Sequence, residues 1–441
     1  MKRNRILNMV MAAGIILFAM IVSMSFTACS VNDNPTPEPV IPEPEIPETP
    51  LQTPLTFEAL EPGAVVTFNI NTEAATNPVY YRTCAAGTWS QWSVYESKTD
   101  VTLANVGDKV QFKGDNDSYY SDATKPKSAS RFLCPNACKV YGNIMSLIDS
   151  DDFEHATTLT EPYALSTLFA GSMIQIDPEN PLLLPATKLS PYCYFMMFTG
   201  CMNLQYAPEL PATTLAERCY FCMFAGCSAL TKTPELPATT LAEECYLAMF
   251  LECSGLTKAS DLPATELAES CYDSMFGRCE NLTDVPEGLP AKTLAKRCYD
   301  SMFYGCKSMV YAPILPATTL ADSCYSEMFF GCEKLECFVI KPDFEMPIVL
   351  PAETLTKGCY YNMFAGCSSL RELKCYATDI SAEDCTKDWL SGVSTSGYFT
   401  TYSYLPWEEN SPNGIPAGWR RHNIDGGDEG GDEGGEIVII K

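Results

Sequence analysis

Histidine is almost missing: the chain has 2 in 441 residues, His155 and His422. A Cys-His or Ser-His catalytic pair therefore has two positions to draw on, and neither lies in a phrase that carries a nucleophile. Positive charge is scarce as well, with 29 Lys and Arg against 55 Asp and Glu and a net charge of −26. Beyond the first few residues there is no basic cluster, so a nucleic-acid backbone would be repelled. No glycine-rich phosphate loop and no calcium-binding nonapeptide occurs. One Cys-x-x-Cys, Cys219 with Cys222, appears in a single copy of a repeated phrase, which makes it an accident of that copy and not a zinc or redox motif. These absences leave no catalytic residue, no metal ligand set and no cofactor to assign, and the chain reads as a non-enzyme.

What is present begins with export. Lys2, Arg3 and Arg5 precede an apolar run from Ile6 to Phe26, the pattern of a signal peptide over residues 1–28. Ala28-Cys29 resembles the lipobox of bacterial lipoproteins, which implies a lipid on Cys29 and a place at the outer membrane or cell surface. The alternative is a plain membrane anchor; the polar, Pro-rich residues that follow, without a basic stop-transfer cluster, favour lipidation. Residues 29–54 bury nothing and read as an extended stalk.

Residues 55–150 alternate apolar and polar side chains in short runs, "AVVTFNI", "PVYYRT", "WSQWSVY" and "KVQFKG", separated by Gly, Asn and Asp. This predicts a small all-β, sandwich-like domain. Trp89 and Trp92 are core or edge aromatics in such a domain; exposed and coplanar, they would instead stack on sugar.

Residues 152–421 are repetitive. The phrase "CYxxMFxGC" begins at Cys193, Cys219, Cys245, Cys271, Cys298, Cys324 and Cys359, in steps of 26, 26, 26, 27, 26 and 35. Leu-Pro precedes each by nine residues, and worn copies at 164–172 and 385–393 cap the array. A fixed period means stacked units, each unable to cover its apolar face alone. Within one copy, Cys219, Met223, Phe224 and Cys227 share one face of a helix of about two turns, and Gly226 supplies the left-handed turn at its end. The Leu-Pro segment is a short strand. The expected fold class is therefore an α/β solenoid of about 26-residue repeats, with seven phenylalanines from Phe198 to Phe364 in one buried stack.

The paired cysteines can be read two ways. Both vanish together in the upstream cap, as a bonded pair would; yet eight residues of helix would hold them about 12 Å apart, beyond disulfide reach. The balance lies with buried free thiols.

"MFAGCSALTKTPELP" resembles the BspA-like bacterial leucine-rich repeats, over about 230 residues of this chain. The resemblance implies a leucine-rich-repeat solenoid at the cell surface that binds a host or neighbouring-cell protein.

The candidate binding face lies opposite the expected helices. Glu209, Glu235, Asp261 and Glu287 fall just before successive Leu-Pro pairs, with Lys232 and Lys258 nearby and Tyr206 and Tyr311 flanking. The function expected is adhesion through this face, with a glycan-binding accessory protein of a polysaccharide-uptake system as the alternative. The remaining 422–441 form an acidic, Gly-rich tail.

Overall fold

The computed structural model describes residues 49–120, 129–338 and 346–425. The signal peptide, Cys29, the stalk up to residue 48 and the tail from residue 426 lie outside the described residues.

The N-terminal unit is a pair of packed antiparallel sheets. Strands β1 (Leu55–Ala59), β2 (Ala64–Asn69) and β3 (Val79–Ala85) are followed by the two-residue β4 (Thr88–Trp89) and β5 (Ser93–Val94). Then come β6 (Asp100–Leu103), β7 (Lys109–Gly114), β8 (Arg131–Leu133) and β9 (Cys138–Asn143). One sheet runs β9-β1-β7-β3 with β4 and β5 on its edge; the other runs β6-β2-β8. Alternation works as the sequence implies: along β2, Ala64, Val66 and Phe68 point inward and Val65, Thr67 and Asn69 do not.

This unit does not stand apart from the repeats. The outer edge of β9 pairs in parallel with β10 (Ile174–Gln175) and β11 (Leu182–Leu183), which belong to the first coils of the solenoid. One hydrophobic core extends from Leu55 to Trp419. The Phe68 ring stacks on Phe132 at 3.9 Å, Phe132 on Phe169 at 5.8 Å, and Phe169 on Phe198 at 5.3 Å, so the sandwich covers the end of the repeat stack with its own aromatics.

The expectation of an α/β leucine-rich-repeat solenoid is overturned. No α-helix occurs among the described residues, and the repeats form a β-solenoid. The "CYxxMFxGC" phrase is a chain of successive β-turns. In the copy beginning at Cys219, the N–H groups of 219, 221, 223, 225 and 227 donate to carbonyls three residues back. Those of 218, 220, 222, 224 and 226 donate to Glu243, Cys245, Leu247, Met249 and Leu251 in the next coil. Alternate donors thus close local turns and stitch coils together, leaving none of these N–H groups unpaired. Side chains follow in pairs: Cys219-Tyr220 and Met223-Phe224 are buried in the main core, whereas Phe221-Cys222 and Ala225 belong to a separate apolar cluster on the other side of the wall.

Spacing shows why a helix cannot occupy this wall. Helices pack about 8–10 Å apart, whereas the phenylalanine rings from Phe169 to Phe364 succeed one another at 5.3–5.8 Å with interplanar angles of 1–13°. A second stack runs from Tyr194 to Tyr360 at 5.6–6.2 Å and ends on Trp389, which in turn stacks on Trp407. The other walls make isolated parallel bridges, such as Lys188 to Thr214 to Thr240 to Glu266, because a proline in every Leu-Pro pair stops the strand from lengthening. At the far end longer strands return: β12 (Tyr311–Ala312) pairs with β13 (Cys337–Phe338), and β14 (Ile348–Leu350), β15 (Glu372–Cys375), β16 (Gly397–Thr401) and β17 (Trp419–Asn423) form a parallel sheet.

No cysteine among the described residues forms a disulfide, and all are buried. The helix-length reason for expecting this falls with the helix; what the turns provide instead is a bond for each second thiol. Cys227 Sγ donates to the Phe198 carbonyl at 3.1 Å, Cys253 to Phe224 and Cys279 to Phe250 at the same distance, one coil back each time. Burial pushes these thiols up, that of Cys253 to about 12.

The turns require a positive φ every fourth residue. Arg218, Cys222 and Gly226 take φ of 52°, 51° and 75°, each at the third position of a turn, where a type II turn needs it. Most copies end this row in glycine, but Glu252 (φ 62°) and Arg278 (φ 60°) do not. A side chain in this region costs roughly 1–2 kcal/mol. The Glu252–Arg278 ion pair at 2.9 Å has its arginine side chain 45% and its glutamate 24% exposed, and such a partly solvated pair returns up to about 1 kcal/mol. Glu252→Gly is therefore expected to stabilise the protein by about 1 kcal/mol, read from chemical denaturation. A loss of stability would refute the assignment of strain to this row.

Candidate functional site

The residues of the expected face lie on an exposed wall, built by short bridges in place of a continuous sheet. Lys232, Lys258 and Asp284 succeed one another through parallel bridges, so they form one row across three coils. Tyr206 and Tyr311 occupy the same repeat position before and after that row, and their rings are 47% and 39% exposed. Glu209, Glu235, Asp261 and Glu287 are all exposed, three residues further along.

Lys232 reaches Glu235 at 4.0 Å within its own coil. Lys258 is ion-paired to Asp284 of the next coil, and that hydrogen bond raises its pKa. Glu235 also accepts from the Ser260 hydroxyl at 3.2 Å. Asp284 is thus a member of the face that sequence reasoning missed; its signal was its position 26 residues after Lys258.

After Tyr311 the row is interrupted by the buried Cys337, which pairs with it, and the same repeat position returns to the surface in the terminal sheet. Glu372 holds the repeat position of Tyr311, and in the terminal sheet it pairs with Tyr398, which pairs with Arg420. Tyr398 is exposed and lies 5.3 Å from the His422 ring. No phrase in the sequence announces Tyr398 or Arg420, because the repeat has lost its marker there and the strand register alone aligns them.

The arrangement offers alternating charge and phenol rings on an open wall. It does not assemble a metal site: among the described residues, the one group of three potential ligands close enough to share an ion is Asp152, Glu154 and His155, all exposed and away from this face.

Trp89 and Trp92 each have a cation packed against the ring. The Arg82 guanidinium lies 4.5 Å from one ring centroid and 4.8 Å from the other, and Lys113 sits 5.3 Å from Trp92. Both rings are half-buried with a face committed to cations.

A third feature was invisible from spacing. On the outward side of the turn wall, Asp273 and Asp300 are buried and share one nitrogen of Arg297, at 3.0 and 2.8 Å. Burial raises both carboxyls, that of Asp300 to about 8. This cluster holds adjacent coils together.

Comparison with protein-family models, characterised proteins and solved structures gives no match, so the resemblance to BspA-like repeats rests on the repeated phrase alone.

Proposed function

We propose that this protein is a lipid-anchored surface protein that binds a protein partner through the bridged wall of its solenoid, without catalysing a reaction. Anchoring rests on the Ala28-Cys29 junction and on the Pro-rich residues after it. The observation that carries the binding assignment is the row of Lys232, Lys258 and Asp284 flanked by the exposed rings of Tyr206 and Tyr311, with four acids alongside. Tyrosine is enriched where proteins bind proteins because it brings a large rigid surface with a polar tip. Charges at the rim of such a contact set its rate and salt dependence more than its strength.

The partner expected is a host or neighbouring-cell surface protein with basic side chains that match Glu209, Glu235, Asp261 and Glu287. Replacing Glu235 by Gln and Asp261 by Asn together should slow association several-fold at low salt and flatten its dependence on ionic strength. The test is surface-plasmon binding of purified extracellular proteins to the immobilised chain, in two salt concentrations. Unchanged binding and unchanged salt dependence in the double variant would remove the acidic row from the site.

A further inference from the structure

The N-terminal sandwich contains a cleft of about 470 Å³ between the edge of its first sheet and β6 of the second. We propose that this cleft binds an uncharged saccharide. This goes beyond the protein-binding wall, which belongs to a different part of the molecule.

The cleft exists because of what Trp89 and Trp92 do nearby. Their rings close over Arg82, and the residues between and after them, Ser90, Gln91 and Ser93, line the opening. Strand β5 is only two residues long, pairing Ser93 with Tyr81 and Val94 with Tyr80, so the sheet edge ends early. On the other side β6 contributes Asp100 and Thr102, held in register by pairing with Thr67 and Val65 of β2.

The chemistry of the lining is specific. Tyr81 packs against Phe112, with centroids 6.4 Å apart and planes 25° from parallel, and edge-on to Tyr95, so its ring is fixed. The hydroxyls of Tyr81, Thr83, Ser93 and Thr102 and the amide of Gln91 are absent from the hydrogen bonds formed among the described residues. Asp100 accepts from Thr67 at 2.6 Å through one oxygen, and a carboxylate has further acceptor positions to offer.

Among the described residues no lysine or arginine lines the cleft, and the one charged group there, Asp100, is negative. Anionic ligands, including acidic sugars, are therefore disfavoured. Five uncommitted donor-acceptor groups and one carboxylate around an immobilised aromatic ring match a molecule that carries many hydroxyls and apolar C–H faces. The volume falls in the roughly 300–1,000 Å³ range of small-molecule sites.

The test is isothermal titration of the full chain with neutral linear oligosaccharides of glucose, mannose and xylose, and with a uronic-acid oligosaccharide as control. Gln91 and Asp100 are exposed, so the Gln91→Ala, Asp100→Asn double variant leaves the core intact; an unchanged melting temperature verifies this. The expected result is millimolar or tighter binding of at least one neutral oligosaccharide, weakened about tenfold or more in the double variant. Absence of neutral-oligosaccharide binding at millimolar concentration, binding of the uronic-acid control alone, or equal affinity in the double variant would overturn the proposal.

Discussion

Phe250→Ala is expected to destabilise the solenoid by about 3–5 kcal/mol, the range for a buried aromatic truncation. The ring is fully buried between Phe224 and Phe276, at 5.5 and 5.6 Å. Collapse around the void is resisted by the backbone. The Phe250 N–H is bonded to the Met275 carbonyl at 2.9 Å, and its own carbonyl accepts both the Cys253 N–H and the Cys279 thiol at 3.1 Å. Coil spacing is thus set by hydrogen bonds on both sides, and the cavity stays open. Stability in a repeat stack is close to a sum of nearest-neighbour terms, so the loss should appear as early hydrogen exchange in the coils around Phe250 while the N-terminal sandwich remains protected. A measured loss under about 1 kcal/mol would mean that the stack repacks and that the rings are not individually held.

Arg297→Met is expected to cost about 3 kcal/mol at pH 8 and much less at pH 5, because removing one partner of a buried ion cluster strands the others. One guanidinium nitrogen serves both Asp273 and Asp300, whose side chains are 7% and 8% exposed. The Ser274 and Ser301 hydroxyls donate to the same two carboxylates at 2.8 and 3.1 Å. The other charges facing the cluster are Glu244, itself held by Arg218 at 2.7 Å, together with Glu327 and Glu269, the latter paired with Lys296 at 2.8 Å. Burial, the largest influence on both carboxyls, raises them despite the arginine, and Asp300 reaches about 8 from an ordinary 3.8.

A carboxyl raised on folding binds its proton more tightly in the native state, so its contribution to stability is complete below pH 3.8 and is lost as pH rises towards 8. The wild-type protein should accordingly lose stability gradually across that interval, and Arg297→Met should lose it more steeply. Urea midpoints at pH 5, 7 and 9 for both proteins measure this. Equal losses for the variant at pH 5 and pH 9 would show that the arginine acts through packing and not through the two carboxylates.

Some of this was legible in the order of residues. A strict 26-residue step with Leu-Pro nine residues ahead of each cysteine implies stacking, since identical apolar faces at a fixed interval can bury themselves only against one another. Alternation in 64–69 and 109–114 specified strands for the same reason that a pleat sends neighbouring side chains to opposite faces. The exposed Tyr206, Lys232, Lys258 and Tyr311 follow from the same step.

The form of the "CYxxMFxGC" wall was not legible, and the reason is arithmetic. Inward residues at positions 0, 1, 4, 5 and 8 satisfy a period of four residues, yet over eight residues an α-helix drifts from that period by only about 80°. Both conformations present the same face over so short a stretch. What decides between them is the neighbouring coil. A helix satisfies its own N–H groups but holds its neighbours about 8–10 Å away. The turn chain leaves alternate N–H groups for the next coil and lets rings stack at 5.3–5.8 Å, near the roughly 4.8 Å at which bridged strands sit. Pairing of Lys258 with Asp284, the sharing of Arg297 by two aspartates and the alignment of Tyr398 with Glu372 are decided in the same way. Lys258–Asp284, Arg297–Asp273 and Glu372–Tyr398 each depend on which coil lies beside which, neighbours in space but 24 to 26 residues apart along the chain. The sequence by itself determined that the repeats stack and which residues they hide; only the tertiary structure, through coil-to-coil hydrogen bonds, decided the shape of each coil and the company its charges keep.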